Sequence, residues 1–230
     1  MYTDVTETPV FSSIEDLDRN FILPLFIFRT LTKGQVLFYQ NEPANSLCIV
    51  AFGELVKSFE AETRSLVLSH HGPGDLIGEA EVMHNRRVRY VNTTAAADTG
   101  IWQIERTRLE TLLARYPSLY QEMFNAIGER FLRAGKKITY LAFLDARMRV
   151  IQLLIDHFRS HQPSTSSNDW RITQQEIGDL VGLNRESIAR ALSDLVEHGV
   201  VQLGRGRIVV SSLQKLRKLA HLIPATTYDD

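Results

Sequence analysis

The stretch from Ile172 to Leu195 contains the side chains whose types and spacing are most suited to specific chemistry. Arg185, Glu186 and Arg190 project from the first turns of a predicted helix. A guanidinium can donate two hydrogen bonds to the O6 and N7 atoms of a guanine, and a carboxylate can accept one from N4 of a cytosine. The spacing therefore favours the reading of base edges. An ordinary surface ion pair between Glu186 and Arg190, four residues apart on a helix, is the alternative.

Two short helices with a tight break between them must position these side chains. Thr173 and Glu176 have the spacing of a capping box, which predicts that the first helix begins there. Gly182 permits the break, and Asn184 can cap the second helix. Apolar residues recur at spacings of three and four, at Ile177, Leu180, Val181, Ile188, Leu192, Leu195 and Val196. The pattern predicts a helix-turn-helix, a motif whose second helix enters the major groove of DNA.

The next segment predicts a hairpin wing. Residues 200–203 and 207–210 are rich in strand-forming residues, and Gly204-Arg205-Gly206 allows a tight turn from which Arg205 can reach a phosphate. Five basic side chains and no acidic one lie between residues 198 and 228, at Arg205, Arg207, Lys215, Arg217 and Lys218. Such a patch can hold phosphates although the net charge of the whole chain is −1.

The residues from Glu176 to Arg190 resemble the DNA-reading motif of the cyclic-AMP receptor protein branch of the Crp/Fnr transcription regulators. The resemblance implies that Arg185 and Arg190 contact guanines and Glu186 a cytosine of a TGTGA-type half-site. It also implies a homodimer on a palindromic site of double-stranded DNA, and a contact of residues 161–169 with RNA polymerase, although those residues can equally be a solvated connector. The complete predicted DNA-binding set is Thr173, Asn184, Arg185, Glu186, Ser187, Arg190 and Arg205.

Short apolar runs separated by glycine occupy residues 31–104 and predict an antiparallel barrel or sandwich. The candidate strands are residues 36–39, 47–50, 55–59, 66–68 and 101–104, followed by a helical region at residues 106–115. This segment resembles the cyclic-nucleotide-binding β-roll of the same family. The predicted fold class is α+β, with an N-terminal antiparallel effector-sensing β-roll (1–117), a long dimerisation helix (118–144) and a C-terminal winged helix-turn-helix domain (145–230).

The helix predicted from Leu119 to Leu144 has a narrow apolar stripe, formed by Tyr120, Met123, Ile127, Phe131, Ala134, Ile138 and Leu141. Such a stripe suits pairing with a second copy of the same helix. Packing within its own chain is the alternative. Residues 141–145, Leu-Ala-Phe-Leu-Asp, are shared with the family and predict a hinge between the two domains.

The likeness extends to the phosphate-binding cassette of the β-roll. In the family a Gly-Glu pair precedes an Arg-Ser-Ala, and the arginine binds the cyclic phosphate. Here Gly78-Glu79 is followed ten residues after the glutamate by Arg89, but Tyr90 stands where the family has serine. A buried ion pair of Glu79 with Arg89 that closes the roll is the alternative to ligand binding.

A second departure lies on the long helix. The family's Thr-Ser step, which contacts adenine, corresponds to Ala134-Gly135, and neither side chain can hydrogen-bond to a base. We therefore predict an effector other than cyclic AMP, with Gly78, Glu79, Arg89, Tyr90 and Ala134 as the effector-binding set. An anionic small molecule is chemically reasonable if Arg89 faces the pocket. No effector at all, or a true cyclic-AMP-dependent regulator, are the alternatives.

The composition of the chain bears on which cofactors and which cellular location are expected. Cys48 is the only cysteine, which excludes an intrachain disulfide and an iron–sulfur cluster held by four thiolates of one chain, and it is predicted to be a small buried hydrophobe. His70, His71 and His84 lack the spacing of metal ligands and are predicted to be solvated loop residues. With no apolar run of transmembrane length and no signal-peptide pattern, we expect a cytoplasmic protein without a membrane partner.

An enzyme is not expected, because no nucleophile elbow, Walker loop or metal-ligand pair is present. The alternative from another class is a sensor module that acts through protein partners and uses the winged domain as a docking surface. Residues 1–23 receive no function, and residues 13–20 are predicted to form a short helix.

Overall fold

The computed structural model describes residues 1–61, 64–84, 88–160 and 168–220. The chain divides into two compact units, Met1–Gly135 and Lys136–Asp230. Within the described ranges, no helix has the length and apolar character needed to span a membrane.

The first unit begins with two 3-10 turns, Val5–Glu7 and Pro9–Phe11, and a one-turn helix α1 (Arg19–Ile22). The helix predicted over residues 13–20 is wrong. Asp18 has an extended backbone, and its side chain accepts a hydrogen bond from the Phe21 amide at 3.1 Å, so it caps a helix that begins one residue later.

Within its described residues, the first unit contains two antiparallel four-stranded sheets, ordered β1-β8-β3-β6 and β2-β7-β4-β5. The strands are β1 (Phe26–Leu31), β2 (Val36–Phe38), β3 (Ser46–Phe52), β4 (Leu55–Ala61), β5 (Arg64–His71), β6 (Leu76–Ile77), β7 (Asn92–Ala95) and β8 (Thr99–Glu105). Every strand pairing among these is antiparallel, so the predicted fold class is confirmed for this part of the chain.

One apolar cluster of the first unit comprises Leu31, Leu37, Phe38, Cys48, Val50, Leu55, Ile77, Ala95 and Ile101. Cys48 is fully buried as predicted, and burial raises the pKa of its thiol to about 12. The prediction of loop residues is wrong for two of the histidines, because His70 lies in strand β5 and His71 ends this strand with its surface only 2% exposed. The ring nitrogen Nε2 of His71 lies 2.8 Å from Ser69 Oγ.

Three helices complete the first unit: α2 (Glu79–Met83), α3 (Arg106–Arg115) and the beginning of α4 (Leu119–Phe143). The observed bounds of α3 are those predicted. Leu119 and Met123 of α4 are buried in the core of their own unit, so Met123 does not belong to an exposed stripe as predicted. Phe131 and Ile138 of the predicted stripe are exposed.

The second unit contains the end of α4, α5 (Ala146–Ser160), β9 (Asp169–Trp170), α6 (Gln174–Val181), α7 (Arg185–Glu197), β10 (Val201–Gly204), β11 (Arg207–Val210) and α8 (Leu213–Leu219). Its strands form a sheet ordered β10-β11-β9. Most of the predicted polymerase-contacting loop lies outside the described residues, but Asp169, its last residue, belongs to β9. The helix-turn-helix with a strand hairpin confirms the predicted winged fold.

Within the second unit, Arg149 of α5 contacts the end of α4. It donates to the carbonyl oxygens of Leu141 at 2.8 Å and Leu144 at 3.0 Å. The break between the two helices, at residues 144–145, falls inside the predicted hinge, whereas the division into compact units falls at Gly135–Lys136. The hinge and the three-domain division therefore stay predictions.

Candidate nucleic-acid interface and ligand pocket

Local features of the sequence determine both ends of α6 and the beginning of α7. The predicted capping box is present, because the Glu176 amide donates to Thr173 Oγ1 at 3.2 Å and the Thr173 amide donates to Glu176 Oε2 at 2.7 Å. Gly182 ends the helix with a φ of 69°, a left-handed conformation that favours glycine. Asn184 then begins α7, since its Oδ1 accepts from the Ser187 amide at 2.9 Å.

Helix α7 separates an apolar face from a polar face. Ile188, Ala191, Leu192 and Leu195 are buried, whereas Val196, predicted to face inward, is 41% exposed. On the other face Arg185, Glu186 and Arg190 are all exposed.

The alternative of a Glu186–Arg190 surface pair is not what the structure contains. Among the described residues no ion pair joins these two side chains, and Arg190 Nη2 lies 3.5 Å from Ser187 Oγ instead. The charged groups of Glu186 and Arg190 therefore both remain accessible to a partner, one turn apart on the same face.

The wing is a hairpin of β10 and β11, in which Gly204 pairs with Arg207. Gly206 has a φ of 65°, and Arg205 lies beside it, exposed at the tip. The amide of Ile172 donates to the Gly206 carbonyl at 3.0 Å, which fastens the tip to the segment that leads into α6.

A surface depression of about 320 Å³ lies between the beginnings of α6 and α7 and the wing. Thr173, Gln175, Arg185, Leu203 and Arg207 are among the residues that line it. Two arginines and two helix beginnings at one concave surface favour contact with an anionic polymer.

The cassette residues Gly78, Glu79 and Arg89 meet inside the first unit. Gly78 has a φ of 85°, and a Cβ at this position would lie 2.2 Å from Arg89 Nη1, so this approach requires glycine. Glu79 and Arg89 are 1% and 2% exposed. The alternative of a Glu79–Arg89 ion pair is wrong, because Glu79 accepts its hydrogen bond from Arg130 of α4.

Arg89 is a buried cation with unused donors. Its Nη2 donates to the Ser46 carbonyl at 2.6 Å and to Ser46 Oγ at 3.3 Å, and its guanidinium carbon lies 3.6 Å from the centroid of the Phe38 ring. Its Nε and Nη1 have no hydrogen-bond partner among the described residues. Burial lowers the pKa of Arg89, and Glu81 opposes that shift. A buried guanidinium with unsatisfied N–H groups is an attractive place for an anion.

The other two predicted pocket residues stand apart from this cluster. Tyr90 is 69% exposed, and its ring packs against Phe59 with the centroids 6.3 Å apart. Ala134 is exposed on α4. Sequence reasoning missed Ser46 and Arg130. Arg130 carried a weak signal, since it lies four residues before Ala134 on the helix predicted to contact the ligand, whereas Ser46 carried none.

Two family profiles match this chain: the Cyclic nucleotide-binding domain over residues 28–116 and the Crp-like helix-turn-helix domain over residues 148–219. The chain belongs to the Crp/Fnr family. As a Crp/Fnr protein it is a DNA-binding transcription regulator. Within the described residues of this Crp/Fnr chain, no group of His, Cys, Asp and Glu side chains could hold a metal ion.

Relatives of this Crp/Fnr chain match it over 82% to 93% of its length. It is 28% identical to the Cyclic AMP receptor protein of Thermus thermophilus, over 93% of this chain and 97% of the relative. It is 24% identical to a CRP-like cAMP-activated global transcriptional regulator of Mycobacterium tuberculosis, over 82% and 85%. The solved structure of the c-di-GMP responsive global regulator CLP of Xanthomonas campestris aligns with a TM-score of 0.75 at 25% identity, over 84% and 97%.

Proposed function

We propose that this chain is a homodimeric regulator that reads a palindromic TGTGA-type site and responds to a small anionic effector other than cyclic AMP. The observation that carries the proposal is the exposed polar face of α7, with Arg185, Glu186 and Arg190 on the helix that the fold presents for DNA reading. A cytoplasmic location and a contact with RNA polymerase belong to the same proposal.

Each side chain of the interface receives a distinct role. Arg185 and Arg190 would each donate to a guanine, and Glu186 would accept from the amino group of a cytosine. Thr173, Asn184 and Ser187 lie at the beginnings of the two helices, and Arg205 lies at the wing tip, where contacts with phosphates are expected. The first group would determine sequence preference, and the second would determine register and affinity.

The exposed face of α4 supports the homodimer. Large and small residues alternate along it at spacings of four and three, in the order Phe124, Gly128, Phe131, Gly135, Ile138 and Ala142. A Cβ at either glycine would meet nothing within 4 Å, so packing within the chain does not require glycine there. A facing copy of the helix could place its large side chains beside these small residues, as in coiled-coil packing. Two recognition helices related by a two-fold axis would then lie about 34 Å apart, one turn of DNA.

Two features support an effector other than cyclic AMP. Tyr90 places an exposed phenol where the family has a phosphate-binding serine, and Ala134-Gly135 offers no hydrogen-bonding side chain to a base. The buried Arg89, with unsatisfied N–H groups, supports an anionic effector. Named relatives differ in what they respond to, cyclic AMP for one and c-di-GMP for another.

A cyclic-AMP-dependent regulator is the second candidate. Glu79 and Arg89, the acid and base of the family cassette, are both retained and both buried. The two candidates differ in whether cyclic AMP increases the affinity for DNA.

The decisive experiment is fluorescence anisotropy of a TGTGA-N6-TCACA duplex beside a scrambled duplex, with and without cyclic AMP. The proposal predicts a clear preference for the palindrome that cyclic AMP does not change. Binding that appears only with cyclic AMP would favour the second candidate. Equal affinity for both duplexes, with every effector tried, would favour a sensor that acts through protein partners.

A further inference from the structure

Ser46 lies at the beginning of strand β3, and its side chain shares a face with Cys48, which is buried in the apolar cluster of the roll. Ser46 is itself 7% exposed and contacts Arg89 through both its carbonyl and its hydroxyl oxygen. The direction in which its hydroxyl proton points therefore bears on which donors surround Arg89.

Gln103 donates a hydrogen bond to the hydroxyl oxygen of Ser46 from one side. Its backbone pairs with Cys48 across strands β8 and β3. Arg29 Nη1 donates to Gln103 Oε1 at 2.7 Å, and because a guanidinium can only donate, the amide oxygen must face Arg29. The amide nitrogen then faces Ser46, and Nε2 donates to Ser46 Oγ at 2.9 Å.

Arg89 approaches the same hydroxyl oxygen from the other side. Its Nη2 lies 3.3 Å from Ser46 Oγ and, like every guanidinium nitrogen, can only donate. Both neighbours of the Ser46 oxygen are thus donors, and together they occupy its two lone pairs. Among the described residues the hydroxyl proton of Ser46 has no acceptor, and Nε and Nη1 of Arg89 lack acceptors as well.

We propose that Ser46 is an anion-binding residue of the effector pocket, whose hydroxyl donates to a phosphate group held by Arg89. Unpaired donors on two adjoining buried side chains favour a single acceptor with several oxygens, and a phosphate is such an acceptor. Gln103 and Arg29 act as positioning residues, because they keep the Ser46 proton directed away from strand β8. The inference rests on the proposed role of Arg89 in effector binding.

The test is the phosphate dependence of thermal unfolding in the full chain, from 0 to about 100 mM inorganic phosphate at constant ionic strength. Ser46→Ala should raise the apparent Kd of the anion by about tenfold or more, since a hydrogen bond to a charged group is lost. Ser46→Thr retains the hydroxyl and should stay close to the wild type. Gln103→Met frees the hydroxyl to rotate and should produce a smaller loss than Ser46→Ala.

Thr99→Val is the matched control. Thr99 is a buried hydroxyl at the opposite end of strand β8, and its Oγ1 donates to the Ala97 carbonyl at 2.7 Å. Its replacement should lower the melting temperature without changing the phosphate dependence. If Ser46→Ala behaved in the same way, Ser46 would be a structural residue and the proposal would be wrong.

Arg89→Gln separates the inference from the function on which it rests. Loss of the anion response in Arg89→Gln but not in Ser46→Ala would refute the role of Ser46 and leave the effector pocket intact. An unchanged response in Arg89→Gln, or no stabilisation of the wild type by inorganic phosphate, would refute both the pocket and the role of Ser46. The anisotropy experiment on DNA tests the regulator function independently of all these outcomes.

Discussion

Arg185 is the first residue of α7, exposed, and adjacent to the Asn184 cap that determines where the helix begins. Arg185→Ala should cost about 1–3 kcal/mol of binding free energy on the TGTGA site and should relax the preference for one guanine. Anisotropy with duplexes that vary each base in turn measures both quantities.

Arg108 of α3 is a suitable control for this substitution, because it is an exposed arginine of the first unit. Arg108→Ala should leave the affinity and the base preference unchanged. If Arg185→Ala lowered the affinity for specific and for random DNA by the same factor, Arg185 would contact only the DNA backbone.

His71 should make the stability of the first unit dependent on pH. Burial and the nearby cation Arg130 lower the pKa of His71 to about 3, so the folded chain keeps this ring neutral in mildly acidic solution. In the unfolded chain a histidine has a pKa of about 6.5 and takes up a proton as the pH falls through that value. The unfolded state then binds more protons, and the free energy of unfolding falls between pH 6.5 and 3.

His71→Gln removes this contribution. The decrease in unfolding free energy between pH 6.5 and 5, measured by urea denaturation, should be shallower than in the wild type, by at most about 1.4 kcal/mol per pH unit. Equal slopes for the two proteins would mean that the pKa of His71 is the same in the folded and the unfolded chain.

At this scale the sequence predicts residues that act through their own chemistry and misses those that act through a neighbour. Arg185, Glu186 and Arg89 were identifiable because charge and motif spacing are visible in the chain. Ser46 was not, because its importance depends on Arg89 and Gln103, which are 43 and 57 residues away in sequence. The burial of His71 was missed for the same reason, since nothing in its neighbours distinguishes a strand end from a loop.

The wing is the element whose contribution should be independent of sequence. Arg205 is exposed beside Gly206 at the tip of the hairpin, where a guanidinium meets phosphates rather than base edges. Arg205→Ala should weaken binding to specific and random duplexes alike and reduce the salt slope of log Kd by about one. Anisotropy titrations at several potassium chloride concentrations measure the slope. A changed base preference in this variant would place the wing in a groove.

The elements themselves were predicted to different degrees. Helices α6 and α7 have strong local signals, because caps, the glycine break between them and apolar spacing all lie within a few residues. Helix α3 has no side-chain cap, and its signals are the apolar spacing and the Pro117 that follows it. Strands β1, β6, β7 and β9 were missed. Strands β6 and β9 have only two residues each, β7 is the polar run Asn-Thr-Thr-Ala, and β1 has only its first and last residues buried. Such strands form because they pair with other strands of the sheet, and these partners are distant in sequence.

At the scale of the whole molecule, the central prediction is that two copies of the chain pair through the exposed face of α4. Phe131 is 76% exposed in the middle of the alternating face. Phe131→Asp would place a charge in the apolar seam of the dimer, and should convert dimers to monomers and abolish tight binding to the palindrome. Analytical ultracentrifugation and anisotropy on the same samples measure the two effects.

Leu132 supplies the matched control, because it is 56% exposed and adjacent in sequence but lies off the alternating face. Leu132→Asp should remain dimeric and bind DNA as the wild type does. A Phe131→Asp protein that is still dimeric would mean that another surface joins the two copies.

The overall architecture was predictable, because each half of the chain has its own pattern: short apolar runs separated by glycine in the first half, and capped amphipathic helices in the second. The placement of Met123 was not, because the apolar face of α4 is shared between the core of its own unit and an exposed surface. Periodicity alone indicates that a residue is buried and does not indicate against what.

The alternation of large and small residues on α4 has a consequence for gene dosage. If the chain binds its site only as a pair, and the cell holds it below the dissociation constant of that pair, the active species rises with the square of the chain's abundance. A twofold fall in expression would then remove about three quarters of the active regulator. The glycines at positions 128 and 135, by determining how tightly two helices approach, would therefore determine how sharply promoters respond to changes in the supply of the regulator.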